Sequence, residues 1–268
     1  MLKGQGNPLA AQPVSPNIMS LSNALHNGLA TVSERGTASV ENVHWLRINN
    51  NSDNPILINS GEVIAGGRQD RMVAKDTILE PTHKDQYISV MCVEEERWSD
   101  KEKKFEYSNY ANNHLRKVLD ETKNQPLIWR EIGNQLENKG IKNNTLAYLS
   151  RNVDKRVAGP GDEYFNFFDQ KIKHSDTTIV GFVCVSGDKI IGSDIFAGTN
   201  LFYSQMEPLL RGYIDDAIFF GDTVTLKNEP VQKYMDKILT DEKTQQDFVN
   251  KNGKIFRQHN VVIHINTY

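Results

Sequence analysis

Hydrophobic residues change their spacing near residue 108 of this chain, from short alternating runs to the three- and four-residue steps of helices. Between residues 37 and 98, apolar runs are separated by Asn, Ser, Asp, Pro and Gly, which is typical of strands joined by turns. In VHWLRI the alternation places Val43, Trp45 and Arg47 on one face. We therefore predict a β-sandwich or partly closed barrel for this part.

Helical patterns follow between about residues 108 and 173. Ser108 is a candidate N-cap for the first helix, and a second helix carries an apolar stripe from Ile128 to Leu136. The GPG sequence at 159–161 predicts a loop before a third helix, whose residues Phe165, Phe168 and Ile172 we expect to face inward.

Residues from about 177 to 268 mix both patterns and predict an α/β part. One hairpin is expected at Gly187-Asp188 and another at His259-Asn260. Between them lies a long apolar helix, and we place Pro208 in its first turn because a proline farther in would break the hydrogen-bond ladder.

An internal similarity links SGEVIAG at 60–66 with SGDKIIG at 186–192. Both segments follow apolar runs, so two hairpins with the same turn chemistry explain them. An old duplication of one β unit is the alternative.

The fold class that these patterns indicate is α+β, with the β-rich, helical and mixed parts sharing one core. The length favours a single large domain over residues 20–268. Residues 1–19 are rich in Gly, Gln, Pro and Asn and are expected to be a flexible lead-in.

Composition narrows the possible partners of the chain. The net charge is −3, with 31 basic and 34 acidic residues, so no overall positive field favours nucleic acid. No apolar run is long enough for a spanning helix, and the N-terminus lacks a signal-peptide core, so no membrane partner and a cytoplasmic location are expected by default. Cys92 and Cys184 stand in strand-like runs and are interpreted as small buried residues.

The segment GGRQDR, residues 66–71, is the candidate site. Gly66 and Gly67 allow a tight bend and close approach of the backbone to a ligand. Arg68 and Arg71 carry guanidinium forks that suit carboxylate or phosphate. The remaining two side chains, Gln69 and Asp70, offer further polar contacts.

Three interpretations of this segment stay open. A diglycine turn with buried ion pairs to Asp76 or to the acids of VEEERW would be structural; the others are ligand binding and catalysis. The second cluster follows a predicted strand, and its candidate binding residues are Glu94, Arg97 and Trp98. Trp98 suits stacking on a sugar or base, or closure of the core.

Other catalytic or metal-binding patterns are lacking. The seven histidines form no metal-binding spacing, no CxxC or GxSxG occurs, and no phosphate-binding loop or GxGxxG is present. We therefore predict neither a metal nor a cofactor. Glycosidic chemistry would need two carboxylates, and Asp70, Asp76, Glu94 and Asp194 are candidates that the sequence does not choose between.

The segments GEVIAGGRQDRMVAKDTILEP and ISVMCVEEERW resemble the motifs of the ARG and rhodanese-phosphatase-superfamily-associated protein domain, a bacterial family. Further matches are QPLIWREI, GFVCVSGDKIIGSDIF and LLRGYIDDAI, so the resemblance extends over about residues 20–268. It implies, by association only, a link to ADP-ribose, nucleotide or phosphosugar metabolism.

Two functions are therefore expected before a purely structural or interaction role. The first is binding of a small phosphorylated or carboxylated molecule through GGRQDR. The second is hydrolysis of a glycosidic or phosphoester bond, with Asp70 or Glu94 as the base. The sequence leaves the ligand and the oligomeric state open.

Overall fold

A computed structural model describes residues 2–3, 17–37, 40–98, 104–173 and 178–268. The described residues contain strands and α-helices in an α+β arrangement, together with a 3-10 helix at Tyr148–Val153. The strands are β1 Leu2–Lys3, β2 Met19–Ser20, β3 Ala30–Thr37, β4 Val40–Asn50, β5 Ile56–Ile58, β6 Glu62–Ala65, β7 Arg71–Val73, β8 Thr77–Leu79, β9 Asp85–Cys92, β10 Glu106–Tyr110, β11 Ile179–Ser186, β12 Lys189–Phe196, β13 Gly253–Gln258 and β14 Val261–Thr267. The helices are α1 Leu21–His26, α2 Asn113–Thr122, α3 Gln125–Asn138, α4 Lys155–Lys173, α5 Thr199–Phe220, α6 Asn228–Ile238 and α7 Glu242–Asn252.

The β-rich part builds two sheets. One has six strands in the order β10-β6-β7-β9-β4-β3, and the other has three in the order β2-β5-β8. In β4, Leu46 and Ile48 are buried while Trp45 and Arg47 are exposed, which confirms the predicted alternation. Most of the predicted lead-in, residues 1–19, lies outside the described residues.

The interpretation of the internal similarity as two hairpins is wrong. Residues 189–196 do form a hairpin with β11, but β5 and β6 on either side of Ser60-Gly61 belong to different sheets. The backbone of Gly61 instead donates to Val73 and accepts from Ala111. The same Ser-Gly sequence therefore joins the two strands of a hairpin in one case and strands of two different sheets in the other. The neighbours of the strand that follows decide between these outcomes.

The first predicted helix begins later than expected. Ser108 lies in β10, and Asn112 caps α2 by accepting a hydrogen bond from the Leu115 amide. The second helix agrees with its stripe, since Ile128, Ile132 and Leu136 are buried in α3.

Two expectations about proline and glycine are wrong. The GPG sequence lies inside α4, and Pro208 stands in the interior of α5. Pro208 is buried among apolar residues of α5, so tertiary packing outweighs the lost backbone hydrogen bond. Phe165 and Ile172 are buried as predicted, whereas Phe168 is exposed.

The C-terminal sheet has the order β1-β11-β12-β14-β13. Its last hairpin turns at His259-Asn260, where both residues have positive φ. Helix α5 packs against this sheet, and its buried cluster also includes Leu57 and Tyr110 from the β-rich part. Residues of the first and last sheets therefore share a core, as predicted. No described helix is long and apolar enough to cross a membrane.

Candidate functional site

The diglycine bend is fixed by the space around it. Gly66 and Gly67 have φ values of 140° and 51°, which L side chains rarely adopt. A Cβ on Gly66 would lie 2.5 Å from the Lys104 carbonyl oxygen, and a Cβ on Gly67 would overlap the Phe105 ring. Packing against residues 104–105 therefore requires both glycines.

Arg97 joins the GGRQDR segment to the cluster that follows β9. Its Nη1 donates to the Gly67 carbonyl at 2.7 Å, and its Nη2 donates to Asp70 Oδ1 at 3.0 Å. Its Nε donates to Glu94 Oε2 at 2.6 Å. The two segments that the sequence singled out therefore meet at one guanidinium group.

Both candidate catalytic carboxylates are occupied by donors of the protein. Asp70 accepts from the Gly66 amide as well as from Arg97. Glu94 accepts from Arg97, from the Asp70 amide and from the Thr145 hydroxyl. These donors use several of the lone pairs of both carboxylates, and a role of Asp70 or Glu94 as a general base stays a prediction.

Arg71 is fully buried, and its Nη2 lies 3.5 Å from Glu34 Oε1. Its Nη1 donates to the backbone and side-chain oxygens of Gln69. The side chain of Gln69 also donates to the Glu95 carbonyl. Arg71 therefore pairs with acidic and polar groups inside the protein.

Arg68 points in a different direction from Arg71. Its guanidinium carbon lies 5.4 Å from the centre of the Trp98 ring, and Trp98 is exposed. Its backbone amide donates to Glu34 Oε1 at 2.8 Å. The two arginines share Glu34 but do not converge on one open space. Direct ligand binding by GGRQDR stays a prediction, and this geometry favours the structural alternative.

An open groove adjoins this cluster. It has a volume of about 890 Å³ and lies between α3 and the loop 140–146, and we call it the α3 groove. Trp129, Arg130 and Gly133 line it from the helix, and Lys142 and Leu146 line it from the loop. Glu95, next to the motif residue Glu94, also lines it.

The loop wall of the α3 groove is held by the segment after β9. The amides of Glu95 and Glu96 both donate to the Thr145 carbonyl, and the Thr145 hydroxyl donates to Glu94. Leu146 has a positive φ of 46°, a strained conformation for a leucine. Strain of this kind persists only where the surroundings impose it, and it is common at binding sites.

A second polar cluster was not predicted from the sequence. The Lys254 ammonium contacts Asp120 Oδ2 at 3.0 Å, Asp76 Oδ2 at 3.1 Å and the Ser60 hydroxyl. Asp76 lines a cavity of about 620 Å³ with Lys75, and Asp120 lines another of about 250 Å³. Sequence separations of up to 194 residues hide this Lys254 cluster from any local pattern.

The pKa values of the two acids of the Lys254 cluster are shifted in opposite directions. Burial raises the pKa of Asp120 above its usual value despite the nearby Lys254. Burial also acts to raise the pKa of Asp76, but Lys254, His264 and the Ser60 amide outweigh it, so that the pKa falls. Environments that separate two carboxyl groups in this way are used for acid and base roles.

Asp194, another candidate carboxylate, is fully enclosed. Arg116 binds both of its oxygens at 2.8 and 3.0 Å, and Tyr213 and His264 contact them at 2.7 Å. This network joins α2, β12, α5 and β14, so it links a helix of the middle part to the C-terminal sheet and to α5. The contact with Asp194 also gives the buried ring of His264 a hydrogen-bond partner.

Neither cysteine forms a disulfide in the described structure. Cys92 is buried and Cys184 is partly buried; both are free thiols whose pKa is raised by burial. Within the described part of the chain, no group of three or more His, Cys, Asp or Glu side chains is arranged to hold a metal ion.

The fold and the site together define an α+β protein in which a GGRQDR bend and a following EEERW segment are joined through one arginine. The chain belongs to the family described as the ARG and Rhodanese-Phosphatase-superfamily-associated Protein domain, whose model matches residues 7–264. No curated protein and no solved structure matches the chain.

Proposed function

We propose that the protein binds a small phosphorylated molecule of the nucleotide, ADP-ribose or phosphosugar type in the α3 groove. The observation that carries the proposal is that this groove combines an aromatic ring with two cations that form no ion pair with any described residue. Its wall is the loop that Glu94 and its neighbours hold. In this proposal Glu94 and its neighbours do not touch the ligand; they position the loop that forms the wall of the groove.

The charges of the groove suit a phosphate. Arg130 and Lys142 are the two cations, and both are exposed. A guanidinium group binds phosphate oxygens at two points, and an ammonium adds a third contact. Two acids, Glu95 and Glu137, also line the groove and favour ligands that carry hydroxyl donors beside the phosphate.

Trp129 provides the surface for the remaining part of the ligand. Its indole Nε1 is buried without a hydrogen-bond partner in the described structure. A Cβ added at Gly133, one turn later in α3, would meet no described atom within 4 Å outside its own stretch of helix, so the floor beside the indole is open. A planar base or sugar ring fits such a surface.

The size of the groove agrees with this class of ligand. Pockets for small molecules and cofactors range from about 300 to 1,000 Å³, and the α3 groove has about 890 Å³. The family name associates the domain with phosphatase-superfamily proteins, which supports a phosphorylated ligand only by association.

Calorimetric titration with ADP-ribose, ADP, AMP and ribose 5-phosphate, beside adenosine and ribose, tests the proposal. We expect at least one phosphorylated compound to bind. The variants R130A and K142A should each weaken it about tenfold, as loss of one charged contact implies. K155A, which removes an exposed lysine of α4, is the control. Equal affinities in all four proteins, or binding of none of these compounds, would contradict the proposal.

The second candidate function is hydrolysis of a glycosidic or phosphoester bond at the Lys254 cluster. Asp76 and Asp120 both contact the Lys254 ammonium nitrogen, so their nearest carboxylate oxygens are at most about 6 Å apart. Asp120, with its raised pKa, suits the general acid, and Asp76, with its lowered pKa, suits the base or nucleophile.

Nitrophenyl glycosides and phosphate esters, together with ADP-ribose conjugates, form the substrate panel for this function. The turnover rate should show a bell-shaped pH profile. In D120N the fall in rate at high pH, which comes from deprotonation of the general acid, should disappear. Uniform inactivity over the panel, with a folded protein, would rule out the Lys254 cluster as a hydrolytic centre for these bonds.

A further inference from the structure

Two adjacent aspartates of α5 have opposite environments. Asp216 accepts from the backbone amides of Asn113 and His114 and contacts the His114 ring at 2.8 Å. It therefore holds the start of α2, which is a structural role. Asp215 has no comparable set of donors among the described residues, although it is only 9% exposed.

Asp215 Oδ2 is buried and has no hydrogen-bond partner in the described structure. The nearest cation is Arg151, whose Nη1 lies 3.9 Å away and also lacks a hydrogen-bond partner there. Burial raises the pKa of Asp215 to about 6, although Arg151 acts against this shift. Since buried polar groups are nearly always satisfied, an unsatisfied buried carboxylate needs an explanation.

The Arg151 guanidinium group is also held by aromatic rings and by two hydrogen-bond acceptors. Its guanidinium carbon lies 3.8 Å from the centre of the Tyr148 ring and 4.5 Å from that of Phe219. Its Nε donates to the Tyr148 carbonyl and its Nη2 donates to Gln135. Arg151 thus compensates the charge of Asp215 but forms no hydrogen bond with its Oδ2.

Asp215 lines a cavity of about 280 Å³ between α4, α5 and the end of β10. The amides of Asn109 and Asn152 also line it, together with Asp162 and Arg211. Asn152 and Asp162 are at its outer side, where Asn152 is exposed, so the cavity opens to solvent there. It is separate from the α3 groove and from the Lys254 cluster.

We propose that this cavity is a second binding site, specific for a neutral hydroxyl-bearing molecule such as a monosaccharide or polyol, with Asp215 as the acceptor for a ligand hydroxyl. Both acids of the cavity are already balanced, Asp215 by Arg151 and Asp162 by Arg211 at 3.4 Å. Asp162, Asp215 and Arg211 are the charged lining residues, and Arg151 lies outside the lining beside Asp215, so each acid has a cation partner and no net charge selects a cation or an anion.

The lining groups have the mixture that hydroxyls require. Each hydroxyl donates one hydrogen bond and accepts others, so a polyol needs donors and acceptors side by side. Asn109 and Asn152 offer both, Asp215 offers an acceptor and Arg211 offers donors. The volume of about 280 Å³ suits one sugar ring and is about a third of that of the α3 groove.

Saturation-transfer NMR with ribose, glucose, myo-inositol and ethanolamine tests the site, with wild type compared with D215A and D215N. We expect at least one neutral polyol to bind, and D215A to weaken it tenfold or more. D188N, which changes an exposed aspartate of the β11–β12 turn, should bind as wild type does.

Far-ultraviolet circular dichroism establishes that each variant is folded. Binding of ethanolamine in preference to the polyols would overturn the neutral-ligand assignment. Binding of no compound, or equal binding by wild type and D215A, would overturn the site itself. Neither result depends on nucleotide binding at the α3 groove, because the R130A and K142A titrations are read separately.

Discussion

The Thr145 hydroxyl donates to Glu94 Oε1 at 2.8 Å, so the acidic segment after β9 holds the loop that forms one wall of the α3 groove. Glu94 also accepts from Arg97, which binds the carbonyl of Gly67. A continuous set of hydrogen bonds therefore runs from the diglycine bend to the groove. The family motif and the proposed ligand site are neighbours, even though most motif side chains face the protein.

Replacing Glu94 with Gln should loosen the groove wall. The amide keeps the shape but loses the charge that Arg97 needs, and hydrogen bonds to charged groups contribute about 1.5–3 kcal/mol. We expect E94Q to lower stability by a similar amount and to weaken ligands of the α3 groove several-fold. Urea denaturation and calorimetric titration measure the two effects. E96Q, at an exposed neighbouring acid, is the matched control and should change neither.

Replacing Arg71 with Met should destabilise the fold. Glu34 would lose its buried cation, and breaking a buried pair costs about 3–5 kcal/mol. R71M should therefore lower the urea midpoint strongly, while the double variant E34Q/R71M should lose less than the two single effects added together. R130M, at an exposed arginine, should leave the midpoint unchanged. A folded R71M of normal stability that fails to bind ligand would show instead that Arg71 contacts the ligand directly.

Replacing Gly67 with Ala should be far more harmful than an alanine at a helical glycine. The new methyl group would meet the Phe105 ring and Glu34 at a φ of 51°. Strain and overpacking of this kind cost about 1–3 kcal/mol each. Gly159 in α4 has no neighbour within 4 Å of an added Cβ, so G159A should stabilise by up to about 1 kcal/mol. Thermal melting compares the two variants, and equal melting temperatures would contradict the expectation.

Replacing Asp215 with Asn should stabilise the protein at neutral pH. The pKa is about 6 in the folded state and 3.8 in the unperturbed side chain, so the folded protein binds more protons between these values. The stabilising protonated state is fully present below about pH 4 and is lost as the pH rises through 6. D215N should gain up to about 3 kcal/mol at pH 7.5 and little at pH 4. Urea midpoints across this range measure it; a difference that does not change with pH would exclude the titration of Asp215.

Hydrophobic spacing predicted the elements that it controls directly. The face of β4, the stripe of α3 and the turn at His259-Asn260 follow from local period and turn chemistry. Prediction failed where tertiary packing outweighed local preference. Pro208 is tolerated inside α5 because the helix is buried, and β5 and β6 join different sheets although a turn sequence connects them.

The amino-acid sequence alone singled out GGRQDR and VEEERW as motif segments and indicated that the chain is an α+β member of its family. Motifs and hydrophobic periods are local features of the sequence, so they can be recognised without the fold. Only the tertiary structure decided that Arg71 faces Glu34, that Lys254 meets Asp76 and Asp120, and that Asp215 lines a cavity. The direction and burial of a side chain depend on strands and helices far away in the chain, and no local pattern records them.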